Sequence, residues 1–319
     1  MPNLNVAVLA PAGYSKDLGK AGTTSDITLY NLKKGEVTVT FLEPTRYPER
    51  LASLFYAASL ADAAVLVVDA ITAQFGEQVL MLDCLGVHEG YLVLRNYISP
   101  DELAPLIRGT VVDEFALKDD EPVAIREELL ARSAARDPGI CASPGSVPVD
   151  HAFPVKGIGT VVLGDVLRGS VSRHDTLRLL PGGRQVQLRS IKRHDDDAEA
   201  AFAGDRVGLA LKGIDAGELV RGDVLTTETD LVASAHLSGK ASLVAYWPAP
   251  LKEGMVLHVG HWMQFLPARV LSIGAEGDWR HPQVRLELER PLVYPPDARV
   301  LLCWLDGGRL RVVGTLDLD

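Results

Sequence analysis

The periodicity of the chain changes once, near residue 136, and that change limits the possible folds more than any single motif does. Up to about Ala135, short β-rich runs alternate with stretches whose apolar residues recur at helical spacing. The runs are 5–9, 36–42, 64–69, 91–95 and 110–115, and the helical stretches include 49–60, 74–85 and 123–134. Near-continuous apolar strands separated by helices indicate a largely parallel sheet covered on both faces. Residues 136–148, with Asp137-Pro138-Gly139 and Ser143-Pro144-Gly145-Ser146, are turn-forming and poor in apolar side chains, so they read as a linker. Beyond them only short strands follow, broken by Gly and Asp turns, at 159–163, 176–180, 185–191, 206–211, 242–246, 255–259, 268–273, 283–288, 298–304 and 309–316. About 170 residues of this kind suffice for two small β-barrels. The expected fold is therefore α/β plus all-β: an α/β domain at 1–138, a barrel at 147–230 and a second barrel at 239–319, with the seam at 231–240.

Composition narrows the function. With 47% hydrophobic and 23% charged residues the chain should fold throughout. A net charge of -10 argues against broad adhesion to nucleic acid, DNA included, yet leaves room for a local basic patch. No basic segment precedes an apolar run at the N-terminus and no apolar stretch reaches bilayer length, so neither secretion nor a membrane partner is expected. Cys84, Cys141 and Cys303 are odd in number, widely spaced and without a C-x-x-C, which suits a reducing cytoplasm and offers neither a disulfide framework nor a zinc site. His258 and His261 would point to opposite faces of a strand, and His194 to Glu199 lacks the ligand spacing of a calcium loop, so no metal is expected. No G-x-S-x-G, H-E-x-x-H or Cys-His arrangement supports hydrolase chemistry.

Three separated segments carry a family resemblance: Asp150-His151-Ala152-Phe153-Pro154-Val155-Lys156-Gly157-Ile158-Gly159-Thr160-Val161-Val162, Gly204-Asp205-Arg206-Val207-Gly208, and Arg221-Gly222-Asp223-Val224-Leu225. Together they resemble domain 2 of the EF-Tu superfamily, and within it the archaeal SelB branch, the elongation factor that delivers selenocysteinyl-tRNA. Residues 255–270 and 310–316 are similar to domain 3 of the same branch. SelB proteins carry a further C-terminal domain that this sequence does not show, so recognition of a recoding element is not expected.

The N-terminal region is similar to the superfamily's P-loop GTPase domain, and there the resemblance is informative for what differs. A phosphate loop needs glycines so that backbone N–H groups can close around phosphates, a lysine for the β- and γ-phosphates and a hydroxyl for magnesium. Here the loop after the first strand reads Ala10-Pro11-Ala12-Gly13-Tyr14-Ser15-Lys16-Asp17, which keeps Lys16 but has Asp17 at the magnesium hydroxyl position. About five residues later Gly22-Thr23-Thr24-Ser25-Asp26 resembles the end of switch I, so the helix that should follow the loop is cut to a turn or lost. Where the family has Asp-Ala-Pro-Gly-His in switch II, this chain has Glu43-Pro44-Thr45-Arg46-Tyr47. The guanine motif Asn-Lys-x-Asp appears as Asn96-Tyr97-Ile98-Ser99. A second Gly/Lys/Thr run, 19–24, reads as a polar turn into a strand at 27–30.

The resemblance implies a factor with degenerate GTPase motifs, no catalytic residues and no cofactor, in which Lys16, Thr24 and Asn96 are remnants of the nucleotide site. It also implies that Asp150, His151 and Arg206 sit where SelB favours the selenolate of the charged amino acid. An anion pocket there requires a guanidinium open to a cleft; the alternative is that His151 caps a strand and Arg206 pairs with Asp205 or Asp150. Arg184, Arg189, Lys192 and Arg193 form a basic cluster that could touch RNA phosphates or serve as a charged exposed face. Three functions stay open: a binder of tRNA, other RNA or the ribosome without GTP; an active GTP- and magnesium-dependent factor delivering a charged tRNA; and a protein scaffold without an RNA role.

Overall fold

The computed structural model describes residues 2–136, 143–194, 196–274, 278–306, 308 and 310–319. Two compact units result, Met1–Pro138 with Trp304–Val313, and Gly139–Cys303 with Gly314–Asp319. Part of the expected linker, 137–142, lies outside the described residues.

In the first unit, β1 (Asn3–Leu9), β2 (Lys20–Thr24), β3 (Thr28–Lys34), β4 (Val37–Glu43), β5 (Ala63–Val68), β6 (Gly90–Leu94) and β7 (Ala116–Lys118) form one sheet in the order β2-β3-β4-β1-β5-β6-β7. β1 runs parallel to β4 and β5, and β6 and β7 continue the parallel side. β3 and β2 extend the other edge antiparallel. The helices are α1 (Leu51–Ser59), α2 (Ala73–Leu85), α3 (Pro100–Ile107) and α4 (Pro122–Ala135). Because β1 has neighbours on both sides, all seven of its residues are buried, the apolar run from Val6 to Leu9 and also Asn3 and Asn5, which hydrogen-bond to each other at 2.9 Å.

Three local expectations need correction. Residues 110–115 are not a strand: Val111–Glu114 is a 3-10 helix, held by a hydrogen bond from the Val111 amide to the Asp83 side chain at 2.9 Å. The edge strand starts only at Ala116, after Phe115, whose ring lies where a Cβ on Gly90 would be. Residues 20–24 are not a polar turn but β2, exposed along its whole length. The sequence reading also missed α3, which starts with Pro100 in its first turn and a Ser99–Glu102 capping box.

The second unit begins with β8 (Ser146–Val155), β9 (Gly159–Asp165), β10 (Ser170–Ser172), β11 (Thr176–Leu180), β12 (Arg184–Arg193), β13 (Asp196–Ala198), β14 (Ala200–Phe202), β15 (Arg206–Lys212) and β16 (Val224–Thr226). Six of them close a ring in the order β11-β16-β8-β9-β15-β12, shut by the β11–β12 pairing. Its core alternates along each strand, with Val147 and Val149, Leu177 and Leu179, and Leu209 and Leu211 all inside. A second closed barrel follows: β17 (Val232–Leu243), β18 (Val256–His261), β19 (Gln264–Ile273), β20 (Gln283–Tyr294), β21 (Arg299–Cys303) and β22 (Val312–Leu318).

Residues 231–240, expected as the seam, are mostly strand. Small and polar residues such as Ser238 and Lys240 hid β17, while Leu237 and Ala241 are buried in the barrel. Gly239 explains part of the misreading, since a Cβ there would stand 2.0 Å from the Asp317 carbonyl oxygen of β22. The two barrels share an apolar seam of Leu180, Val224, Leu231 and Val293 against Trp262, and Arg290 holds Asp223 at 2.8 Å.

Candidate functional site

In open α/β sheets ligands bind at the carboxyl ends of the parallel strands, so the loops after β1, β5 and β6 are the first place to look. After β1, Pro11 and Gly13 break the chain, and Gly13 adopts φ 94°, a left-handed conformation suited to glycine. Only a four-residue 3-10 helix, Tyr14–Asp17, follows before the chain enters β2. Four amides of the segment are taken by carbonyls within residues 11–19: Tyr14 by Pro11, Lys16 by Gly13, and Leu18 and Gly19 by Ser15. Those N–H groups are therefore committed within the turn. Tyr14 and Leu18 are buried in the same core as Val6, Val8 and Phe41 of the sheet and Ile125 and Leu129 of α4. The short turn thus covers, with two side chains, the sheet face beside α4.

Arg95, at the end of β6, lies 5.2 Å over the Tyr14 ring and forms a fork with Asp120 at 2.7 and 3.0 Å. Burial, with Asp120 nearby, pushes the Tyr14 hydroxyl up to about 12, so it stays protonated. Asn96 and Tyr97 both have left-handed backbones, at φ 53° and 62°, and the Asn96 side-chain Nδ2 donates to the Asp69 carbonyl at 2.9 Å. Ser99, the last residue of the segment that resembles the guanine motif, caps α3 by accepting from the Glu102 amide. Lys16, Thr24 and Asn96 are all exposed.

The segment after β4 is tied to the region resembling switch I. Asp26 lies 3.5 Å from both Arg46 and Arg50, Ser53 donates to the Asp26 carbonyl at 2.6 Å, and Thr28 and Thr45 share a 2.6 Å hydrogen bond. Tyr47 donates to the Gln74 carbonyl at 3.0 Å. Burial and the neighbouring Glu77 raise its pKa. Glu77 is itself buried and receives a two-pronged guanidinium from Arg311, at 2.9 and 2.5 Å, within the same unit.

In the first barrel, Asp150, His151 and Arg206 do come together, because β8 and β15 flank β9 in the ring. The guanidinium does not open to a cleft, as an anion pocket requires. Arg206 is 8% exposed and its two terminal nitrogens each donate at 2.6 Å, one to Asp165 on β9 and one to Asp150. Asp150 also holds Arg221 at 3.0 Å and His151 at 3.0 Å. Burial alone would raise the Asp150 carboxyl, but the charge of Arg206 and hydrogen bonds from His151 and Arg206 hold it well below the usual carboxylate range. Of the two partners expected for Arg206 in the paired alternative, Asp150 is taken and Asp205 is not; Asp205 takes Arg193 at 3.0 Å instead. Asp165 was not singled out in the sequence, although it ends a strand of alternating burial opposite Arg206 in register.

The basic cluster on β12 divides in the same way. Arg184 pairs with Glu218, Lys192 with Asp197 at 3.4 Å and Arg193 with Asp205. Arg189 differs: its guanidinium donates to the Ile158 carbonyl at 3.3 Å. No group of three His, Cys, Asp or Glu side chains able to hold a metal occurs among the described residues, and no helix among them is long and apolar enough to cross a membrane.

A P-loop-like sheet followed by two six-stranded barrels defines a translation-factor architecture of the EF-Tu superfamily. Residues 159–226 match the family model for elongation factor Tu domain 2. The chain is 35% identical over 303 residues to the uncharacterized protein MJ0325 of Methanocaldococcus jannaschii, covering 95% of this chain and 94% of that one. It is 29% identical over 284 residues to the selenocysteine-specific elongation factor of the same organism, covering 82% of this chain and 60% of that factor's length. The fold matches that of translation elongation factor SelB from Methanococcus maripaludis in complex with the GTP analogue GPPNHP. The TM-score is 0.84 at 24% identity, over 100% of this chain and 79% of that one. The chain belongs to the family of MJ0325 and, with it, to the SelB-like group of EF-Tu superfamily factors.

Proposed function

We propose that this elongation-factor-like protein works without a GTP switch, as a binding protein for tRNA, or for another RNA of the translation apparatus including the ribosome, in the cytoplasm. The observation that carries the reading is the turn Tyr14–Asp17. Where a nucleotide-binding relative needs free amides at the start of a helix, this segment commits the amides of Tyr14, Lys16, Leu18 and Gly19 to nearby carbonyls and buries Tyr14 and Leu18 in the core. The exposed Lys16 supplies one cation without the glycine cradle, and Asp17 beside it would repel phosphate. In switch II the backbone-approach glycine is replaced by Arg46 and the water-orienting histidine by Tyr47, whose hydroxyl is engaged elsewhere. RNA binding is supported by the more distant relatives, such as the selenocysteine-specific elongation factor of Methanocaldococcus jannaschii, and by the presence of both barrels.

Two measurements test this. Calorimetry should detect no GTP or GDP binding with magnesium present; a dissociation constant of about 10 μM or tighter, roughly 7 kcal/mol, would overturn the nucleotide-free reading. Pull-down of the full chain followed by RNA sequencing should enrich tRNA or ribosomal RNA over total RNA. Recovery at background level would overturn the RNA reading and favour a protein scaffold.

A further inference from the structure

Three backbone irregularities meet on the outside of the first barrel. Arg189 is the extra residue of a bulge, since the β12–β15 register shifts between Leu188 and Ser190. Bulges re-aim a side chain and accompany functional sites. His174 has a left-handed backbone, φ 76°, at a non-glycine position, where strain is tolerated only if the surroundings hold it. Hydrogen bonds between His174 and Leu188 and between Leu188 and Asp175, both 2.9 Å, do that holding. The β8–β9 turn carries glycines at φ 80° and 104°, Gly157 and Gly159, and its Ile158 carbonyl takes the Arg189 guanidinium.

Between them lies an open hollow of about 570 Å³, whose charged and polar walls are Arg173, Arg189, Lys212, His174, Gln187 and Ser190. No carboxylate among the described residues lines it, although the chain as a whole carries a net charge of -10. Gln187 and Lys212 face each other in register across β12 and β15, so the hollow is built on paired strands and not on loose loops. Arg173 reaches into it while pairing with the exposed Glu199 at 3.1 Å and donating to the Arg189 carbonyl at 3.2 Å.

We infer that this hollow is a phosphate-binding site for the RNA backbone, resting on the RNA reading above. The exposed Arg189, held by a carbonyl, Arg173, shared with the exposed Glu199, and the Lys212 ammonium together suit the oxygens of a phosphodiester. The hollow is too large for a single phosphate and is dominated by cationic side chains, with no Phe, Tyr or Trp among its lining residues, so it grips the backbone of a strand more than it reads its bases. A local cationic seat of this kind is what an acidic protein needs to hold RNA against its overall charge.

The test is fluorescence anisotropy of the full chain with labelled unfractionated tRNA at several salt concentrations, comparing wild type with Arg189→Ala, Lys212→Ala and the double variant. Arg184→Ala serves as a control on the same strand, and Arg189→Lys as the charge-restoring variant. Each lost phosphate contact should lower the slope of log affinity against log salt by about 1, and the double variant should bind about tenfold or more weakly at physiological salt. Arg184→Ala should change neither, and Arg189→Lys should recover the slope. If wild type binds tRNA and the double variant binds with the same affinity and slope, this site is wrong while the RNA reading stands. If wild type binds no tRNA, the RNA reading falls and this assignment with it. If polyglutamate binds with the same dependence on Arg189 and Lys212 and displaces tRNA, the site serves an acidic polypeptide and the RNA assignment is overturned.

Discussion

The nucleotide-site region of the first unit and the ion network of the first barrel have been altered in opposite ways. After β1, side chains of the short turn are given over to packing, since Tyr14 and Leu18 lie in the core, and after β6 Ser99 caps a helix. In the barrel the charged residues are kept but turned on one another, with Arg206 between Asp165 and Asp150. The first region would lose ligand chemistry by substitution, the second by pairing. A substitution can be read in a sequence, whereas the pairing of Arg206 with Asp165 and Asp150 needs the strand register to be seen.

The largest expected effect breaks the barrel side of this comparison. Arg206→Ala removes the guanidinium joining two buried carboxylates, and an uncompensated buried charge costs about 3–5 kcal/mol. Thermal unfolding should show a correspondingly large loss, with tRNA affinity at 25 °C unchanged for the protein that remains folded. Weaker binding of an aminoacylated ligand with unaltered melting would instead restore the anion-pocket reading. The network also sets acid sensitivity. The folded pKa of Asp150 is depressed below its ordinary value of 3.8, so its contribution is complete above that pH and is lost as pH falls further. Without Arg206 the acid transition should move to higher pH, which a circular dichroism titration would show.

The next effect tests whether Leu18 is a packing residue. Leu18 is fully buried, and Leu18→Ala should cost about 3 kcal/mol through the cavity left on the sheet face beside α4. Denaturant melts followed at the first unit should shift while the barrels keep their own transition. A negligible shift would mean that the turn packs loosely, and the comparison would lose its first half.

Much of the architecture was legible. The change from alternating strand and helix to strands alone placed the α/β unit and both barrels, because period and turn chemistry are local properties. The shortened segment after β1 was legible too, since ten residues between Leu9 and Lys20 with Pro11, Gly13 and Gly19 leave no room for a normal helix. β17 was missed because its outward face is small and polar, and the 110–115 segment was misread because its apolar run ends in a 3-10 turn. Among the site residues, Asp165, Arg173, His174 and Lys212 were not found. Each gains its role from a neighbour on another strand, and nothing local in the sequence states that neighbour.

The smallest effect sharpens the comparison most, because Ser99 is the last residue of the segment that resembles the guanine motif. As the cap of α3, its hydroxyl accepts from the Glu102 amide, and the Glu102 carboxylate returns a contact to the Ser99 amide at 2.8 Å. Ser99→Ala should therefore cost about 1 kcal/mol, the usual loss of a cap. Ser99→Asp should leave stability almost unchanged, since aspartate caps a helix about as well as serine. The same change restores the carboxylate of the guanine motif without altering the turn after β1. If the nucleotide site is absent because its phosphate cradle was rebuilt as packing, Ser99→Asp will still show no GTP binding by calorimetry. If that one substitution brings GTP affinity into the micromolar range, the phosphate loop is intact in function, and the nucleotide-free reading of the first unit is wrong.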